Sequence, residues 1–292
     1  MVRSALCSLF FLLAAILPTQ AQLLWEISGN SLEKKSYLFG TIHLANEKVM
    51  SIKPTLVSTI DNVDEFALEL AMEDINMMDF MAALVLPDSV EYADFLSEDQ
   101  EKMLDSILVA KTGLPVVYLK RMMPTILFSL MMDKDKTMDK GYMPMDYILQ
   151  QEAVAMDKSV KSLESMETQL GVLSSIPLED QFNELIDFLE GQNDGELAVL
   201  EEIEELSKIY VKQDIDSMQA YIANDPSMSK SAISFMLDER NHAMCQTILA
   251  TIHFKSLFIA VGAGHLGGEK GMVNILRQSG YELKPIKLNF ED

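Results

Sequence analysis

The chain has 292 residues, 49% hydrophobic and 23% charged, with 45 acidic against 23 basic side chains and a formal net charge of -22. That is ordinary globular composition with enough apolar material for a sizeable core. The acidic balance, without a dense basic patch, argues against nucleic acid and anionic membranes as partners and leaves a solvated acidic surface.

In chain order, Met1-Val2-Arg3 is a short basic start and Leu6 to Leu17 an apolar run. Pro18-Thr19-Gln20-Ala21 then offers a small-residue cleavage site. Residues 1–21 therefore read as a secretory signal peptide, too short to anchor in a bilayer. No later stretch is long and apolar enough to span a membrane, so the expectation is an exported protein, periplasmic or extracellular. Cys7 leaves with the leader, and Cys245 reads as a buried small hydrophobe in a helix.

Leu23 to Ser28 and Ser36 to Phe39 read as a hairpin turned at Gly29-Asn30. Pro54 to Ile60 suggests a short helix, and Val63 to Leu70 a strand. Ser97-Glu98-Asp99-Gln100 is a capping signature for a helix that Gly113-Leu114-Pro115 closes. Val116 to Met132 predicts a helix restarted at Pro124. Pro144 to Met156 predicts one with Tyr147, Ile148 and Ala155 on one side. Val160 to Glu164 reads as a short strand. The stretch from Glu167 to Ile252 reads as helical, with Ile233 to Ile252 as one long helix. Ser256 to Val261, Gly271 to Ser279 and Tyr281 to Leu288 read as strand, helix and strand. Strands at both ends with a helical middle, roughly 75–255, predict an α/β fold tending to α+β: a mixed sheet in a single domain over 22–292.

Two strands share a further pattern, a glycine followed three residues later by a histidine: Gly40-Thr41-Ile42-His43 and Gly262-Ala263-Gly264-His265. Glu69 and Glu164 also fall at expected strand ends. In open α/β sheets, ligands bind in the crevice beyond such ends. Imidazole and carboxylate together suit a divalent transition metal, or a general base with its orienting acid. Glu164 would equally suit a cap for the following helix. Arg240 falls inside the stripe of Ile233, Met236, Leu237, Met244 and Ile248. It needs an acidic partner or a substrate carboxylate there, unless only its stem packs. Asn241 is adjacent and faces another way. His242 and His253 read as structural or exposed. The methionine pairs, such as Met77-Met78 and Met122-Met123, read as adaptable core filling rather than soft copper(I) ligands. Gly262-Ala263-Gly264 lacks the third glycine of a dinucleotide loop.

Several segments stand in one order over nearly the whole mature chain. They are Leu38-Phe39-Gly40-Thr41-Ile42-His43-Leu44, the strand ending at Glu69, Lys-x-x-x-x-Leu-Glu-x-x-x-x-Gln from Lys158 to Gln169, Glu239-Arg240-Asn241, and Phe258 to Gly271. In these the chain resembles the TraB/GumN family, which includes the Tiki proteases. The resemblance implies an α/β core related to erythromycin esterase and the haem-uptake protein ChaN, and a site of His43, Glu69, Arg240 and His265. For Tiki it implies proteolysis dependent on a divalent metal of manganese or cobalt type. Thr41-Ile42 lacks the glutamate of the erythromycin esterase pattern. The resulting expectation is a secreted, metal-dependent hydrolase, foremost a peptidase, acting on a peptide or small-molecule substrate. His43, Glu69 and His265 would hold the metal or act as base, and Arg240 would grip a substrate carboxylate or oxyanion. Glu164 and Asn241 would flank them. The alternative is a non-catalytic protein binding a metal, haem or small ligand through the same histidines.

Overall fold

The structure is a computed structural model describing residues 22–42, 47–114, 116–131, 144–191, 195–224 and 229–291. The leader assigned to residues 1–21 and the candidate His43 lie outside the described residues.

The hairpin forms as expected: β1 (Leu24–Gly29) and β2 (Ser36–Thr41) are antiparallel, with Leu24 opposite Phe39. Its turn places Asn30 and Ser31 at φ 44° and 61°, a left-handed region that Asn tolerates. β3 (Glu65–Leu68), β4 (Ser159–Ser162), β5 (Leu257–Gly262) and β6 (Tyr281–Ile286) complete a sheet of order β4-β3-β5-β2-β1-β6. β4, β3, β5 and β2 run parallel, while β1 is antiparallel to both β2 and β6. β5 lies centrally among the parallel strands, and Leu257 to Val261 are all buried. Strands covered on both faces carry such continuous apolar runs instead of alternation.

The class is α/β with a mixed sheet, as expected. Within 75–255, the short strand expected at Val160 to Glu164 forms as β4, Ser159–Ser162, and supplies a sheet edge beside β3. α1 (Lys53–Asp61) leads from the hairpin to β3. α2 (Met77–Ala83) and α3 (Glu98–Thr112) follow, and α3 starts on the Ser97/Gln100 capping box and ends at Gly113 with φ 68°. α4 (Pro124–Met131) begins on its proline, since a missing N–H costs nothing in a first turn. The expected helix from Val116 is a separate 3-10 turn, Val116–Tyr118. α5 (Met145–Ala155), α6 (Met166–Ser175), α7 (Leu178–Leu189), α8 (Gly195–Val211) and α9 (Ile215–Ala223) come next. α5 buries Met145, Leu149 and Ala153, not the expected Tyr147, Ile148 and Ala155 face. The i, i+4, i+8 row meets the sheet layer, and the bulkier pair stays on its flanks. The chain closes with α10 (Arg240–Thr251) and α11 (Met272–Gln278).

The apolar residues divide into two cores. One surrounds the sheet. The other joins α3, α4 and α7 through Leu104, Leu108, Leu127, Phe182 and Leu185. Met123 and Met131 fill the second core as expected, but Met77 and Met78 are exposed on α2. Among the described residues nothing buries α2, none of whose residues is in the core. Among the described residues, no helix is long and apolar enough to cross a membrane.

Candidate active site

Parallel strands aim their C-terminal ends the same way, so residues following β2, β3, β4 and β5 emerge at one end of the sheet. Thr41 closes β2 opposite Gly262 of β5. Glu69 follows β3 directly. Past β4 the pairing continues: the Glu164 N–H donates to the Glu69 carbonyl at 3.1 Å, which sets the two glutamates side by side. β5 then turns through a 3-10 turn, Ala263–His265, which folds His265 back beneath the strand ends.

The expected long helix 233–252 is not continuous. A turn at Lys230–Ile233 runs into a π-helical segment, Ser234–Glu239, before α10. π-helical turns recur at functional sites because they shift the phase of a helix face. Arg240 and Asn241, the first residues of α10, are both buried. Neighbouring helical residues differ by about 100° in direction, given 3.6 residues per turn. The strand-end cluster is wide enough that both side chains reach it. Asn241, expected to face away, is therefore part of the cluster.

Arg240 is fully engaged. Its Nε donates to Glu164 Oε2 at 2.9 Å and its Nη2 to Glu164 Oε1 at 2.6 Å, a bidentate pair. Nη2 also meets Glu69 Oε2 at 2.6 Å and Gln169 Oε1 at 2.8 Å, so two protons serve three acceptors. Nη1 donates to the Met236 carbonyl in the π-helical segment at 3.1 Å. Burial alone would pull the Arg240 guanidinium down. The Glu164 hydrogen bond and the charges of Glu69 and Glu164 more than offset this and leave it raised. Glu164 is raised by burial, which outweighs the opposing hydrogen bond and charge of Arg240, with the Glu69 charge adding to the rise.

Glu69 links this ion-pair network to His265. Its Oε2 faces Arg240, while its Oε1 accepts the Gly262 N–H at 2.7 Å and lies 3.6 Å from His265 Nε2. On the far side of the ring, His265 Nδ1 is 2.6 Å from Asn241 Oδ1. The Asn241 Nδ2 donates to the Lys270 carbonyl at 3.0 Å, which fixes the amide with its oxygen towards the ring. With Asn241 Oδ1 as its acceptor, Nδ1 carries a proton, and Nε2 is the ring nitrogen that faces Glu69.

The glycines explain themselves by contact. A Cβ on Gly262 would lie 3.3 Å from Glu69 Oε1, and one on Gly40 2.7 Å from Leu266 Cδ1. Gly264 and Gly267 sit under α9, where a Cβ would come within 2.4 Å of Ile222 Cδ1 and 2.3 Å of the Ile215 carbonyl. The segment after β5 is thus glycine-rich for close packing, not to cradle a phosphate. The two Gly-x-x-His copies are also not related by register, because Gly40 pairs with Val261, one residue short of Gly262.

A cavity of about 220 Å³ opens beside Glu69, with Thr41, Asp146 and Gln169 among its walls. Sequence reasoning missed Asp146, whose surroundings in the chain read only as an amphipathic helix. It also passed over Tyr210, buried in α8, whose hydroxyl donates to the Gly40 carbonyl at 2.8 Å and ties β2 to the helical layer. Burial, with the charge of Asp146, drives that phenol well above its ordinary range. His242 pairs with Gln246 and His253 with Tyr281, both exposed and away from the cluster.

The fold and cluster define an α/β protein with a buried carboxylate–guanidinium–imidazole site beyond its parallel strand ends. Residues 23–285 match the TraB/PrgY/gumN family, to which the chain belongs. No curated protein and no solved structure matches it.

Whether these residues suit a metal can be judged from their donors. Among the described residues no group of three or more His, Cys, Asp or Glu side chains could hold a metal ion. Two donors do converge, Glu69 Oε1 and His265 Nε2. The imidazole has the outer partner that metal-ligating histidines characteristically use, here Asn241 on Nδ1. Two donors fall short of the three protein ligands of a catalytic metal site, so a metal here would need a further ligand from outside the described residues.

Proposed function

We propose that the protein is an exported, metal-dependent hydrolase that cleaves amide bonds in peptides. The reading is supported above all by the His265 ring, whose tautomer Asn241 fixes so that Nε2 faces Glu69 Oε1 at 3.6 Å beside an open cavity. Glu69 and His265 would hold the metal, with His43, two positions beyond Thr41 in sequence, as the third ligand. When bound, a manganese- or cobalt-type ion would acidify a water and polarise a carbonyl.

The chain's own residues account for the rest. Asn241 keeps the proton on Nδ1 and so keeps Nε2 available as a base or ligand. Arg240 neutralises Glu69 from behind and, with the Gly262 N–H, holds the carboxylate in one orientation. Glu164 and Gln169 fix Arg240 in turn. With every Arg240 nitrogen already donating, its role is to position Glu69 rather than to clasp a substrate carboxylate. The cavity is smaller than the roughly 300–1,000 Å³ of sites for drug-sized ligands. It therefore suits part of a peptide better than a whole haem.

The test is hydrolysis of a quenched fluorescent peptide library by a chain started at Gln22, with manganese or cobalt added. Glu69→Gln and His265→Ala should each lower kcat/KM at least 100-fold while far-UV circular dichroism stays unchanged. Equal activity in both variants would remove the proposal.

A further inference from the structure

The cavity beside Glu69 has walls of two kinds. Thr41, Asp146, Gln169 and Glu69 itself are the polar ones. The remaining walls are apolar, and five of them, Leu70, Ile75, Phe80, Met166 and Leu170, are only half-buried. They come from three places: the segment after β3, α2 and α6. Half-buried apolar side chains converging on one space lose water contact when an apolar group fills it. The volume sets the size of that group. At about 220 Å³ the cavity exceeds the roughly 150 Å³ of an apolar cavity that accepts benzene. It falls below the range for whole drug-sized ligands. One leucine- or phenylalanine-sized side chain fits.

The outer face of α2 adds an independent observation. The helix that sends Phe80 into the cavity exposes Met77, Met78 and Met81, and Met72 is exposed just before it. These methionines lie outside the cavity's lining, and flexible thioethers on the helix that bounds it suit apolar partners of varied shape. Charge points the same way, because Glu69 and Asp146 in the walls, on a chain of net charge -22, disfavour an acidic occupant.

We propose that this cavity is the specificity pocket of the site, taking one uncharged, bulky apolar side chain of an extended peptide next to the bond that is cut. The flanking peptide lies over the methionine face of α2. This rests on the hydrolase reading for the cut bond, but occupancy of the pocket can be measured without turnover. α2 and α6 then decide which peptides are accepted, while the strand ends carry the chemistry.

The experiment uses the chain started at Gln22 with N-acetyl amino-acid amides differing only in side chain, Ala, Val, Leu, Phe and Glu. Binding is read by ligand-observed NMR, and kcat/KM is read for matching peptides. Affinity and kcat/KM should rise about fourfold per buried methylene, from about 0.8 kcal/mol each, with Leu and Phe far above Glu. Leu170→Trp, which fills the cavity, should collapse the Leu-to-Ala ratio. Phe80→Ala, which enlarges it, should shift preference towards Phe and larger side chains. Graded binding without turnover would sustain the pocket and remove the hydrolase reading. Turnover with no side-chain preference, a preference for Glu, or ratios unmoved in both variants would overturn the pocket and leave the hydrolase reading in place.

Discussion

Replacing Arg240 with methionine, similar in length but uncharged, tests the network behind the site. The side chains of Arg240 and Glu164 are 5% and 2% exposed and that of Glu69 19%, so solvent screens them little. The substitution leaves two carboxylates facing a vanished cation. Removing one partner of a buried pair costs about 3–5 kcal/mol, a large part of the roughly 5–15 kcal/mol that holds a domain folded. The loss should depend on pH. Burial already holds Glu164 above its ordinary value, and Arg240 is the group that restrains the rise. Without Arg240 the rise grows. A carboxyl raised in the folded state binds its proton more tightly there than in the unfolded chain. The penalty is therefore full above the folded value and fades as pH falls towards the unfolded value of about 4.5. Trp25, the single tryptophan, is buried in β1 and reports the sheet core. Urea unfolding followed by its fluorescence at pH 7 and pH 5 gives the comparison. Adding Glu164→Gln should recover about 0.5–3 kcal/mol through the coupling of the pair. A loss under 1 kcal/mol at pH 7, or one equal at both pH values, would refute the reasoning.

Three further predictions follow from separate contacts. Asn241→Ala frees the His265 ring and should lower metal affinity or activity about 10–100-fold, checked by metal titration and by kcat/KM against pH. Gly267→Ala drives a Cβ to 2.3 Å from the Ile215 carbonyl oxygen, a backbone atom that cannot swing aside. It should cost at least about 1–3 kcal/mol, read as a lowered Tm, and an unchanged Tm would mean that α9 does not press on this loop. Cys245 is buried, and burial pushes its thiol up to about 12. In the chain started at Gln22 it should resist alkylation at pH 8 until denaturant is added, and labelling of the folded protein would contradict its placement.

The sequence by itself determined the hairpin, β5, the capped helix α3 and the α/β class. Each rests on local pattern: alternation or an apolar run, a capping box, a terminal glycine. It also marked Glu69, Glu164, Arg240 and His265, because charged groups at strand ends or within an apolar stripe are conspicuous in one dimension. Only the tertiary structure decided what they touch. Arg240 called for either an acidic partner or a substrate carboxylate; its partners Glu69, Glu164 and Gln169 lie 71 to 171 positions away and pair with it through strand order and a π-helical turn. Asn241 looked averted, since helical periodicity gives direction around an axis but not what stands at the helix end. Met77 and Met78 looked like core because hydrophobicity says nothing of whether another layer covers a helix. The echo of Gly-x-x-His was visible in the chain, but its glycines serve different contacts, one against Leu266 and one against Glu69. Composition and periodicity set local structure, while convergence of distant side chains depends on the parallel sheet that gathers its strand ends at one edge.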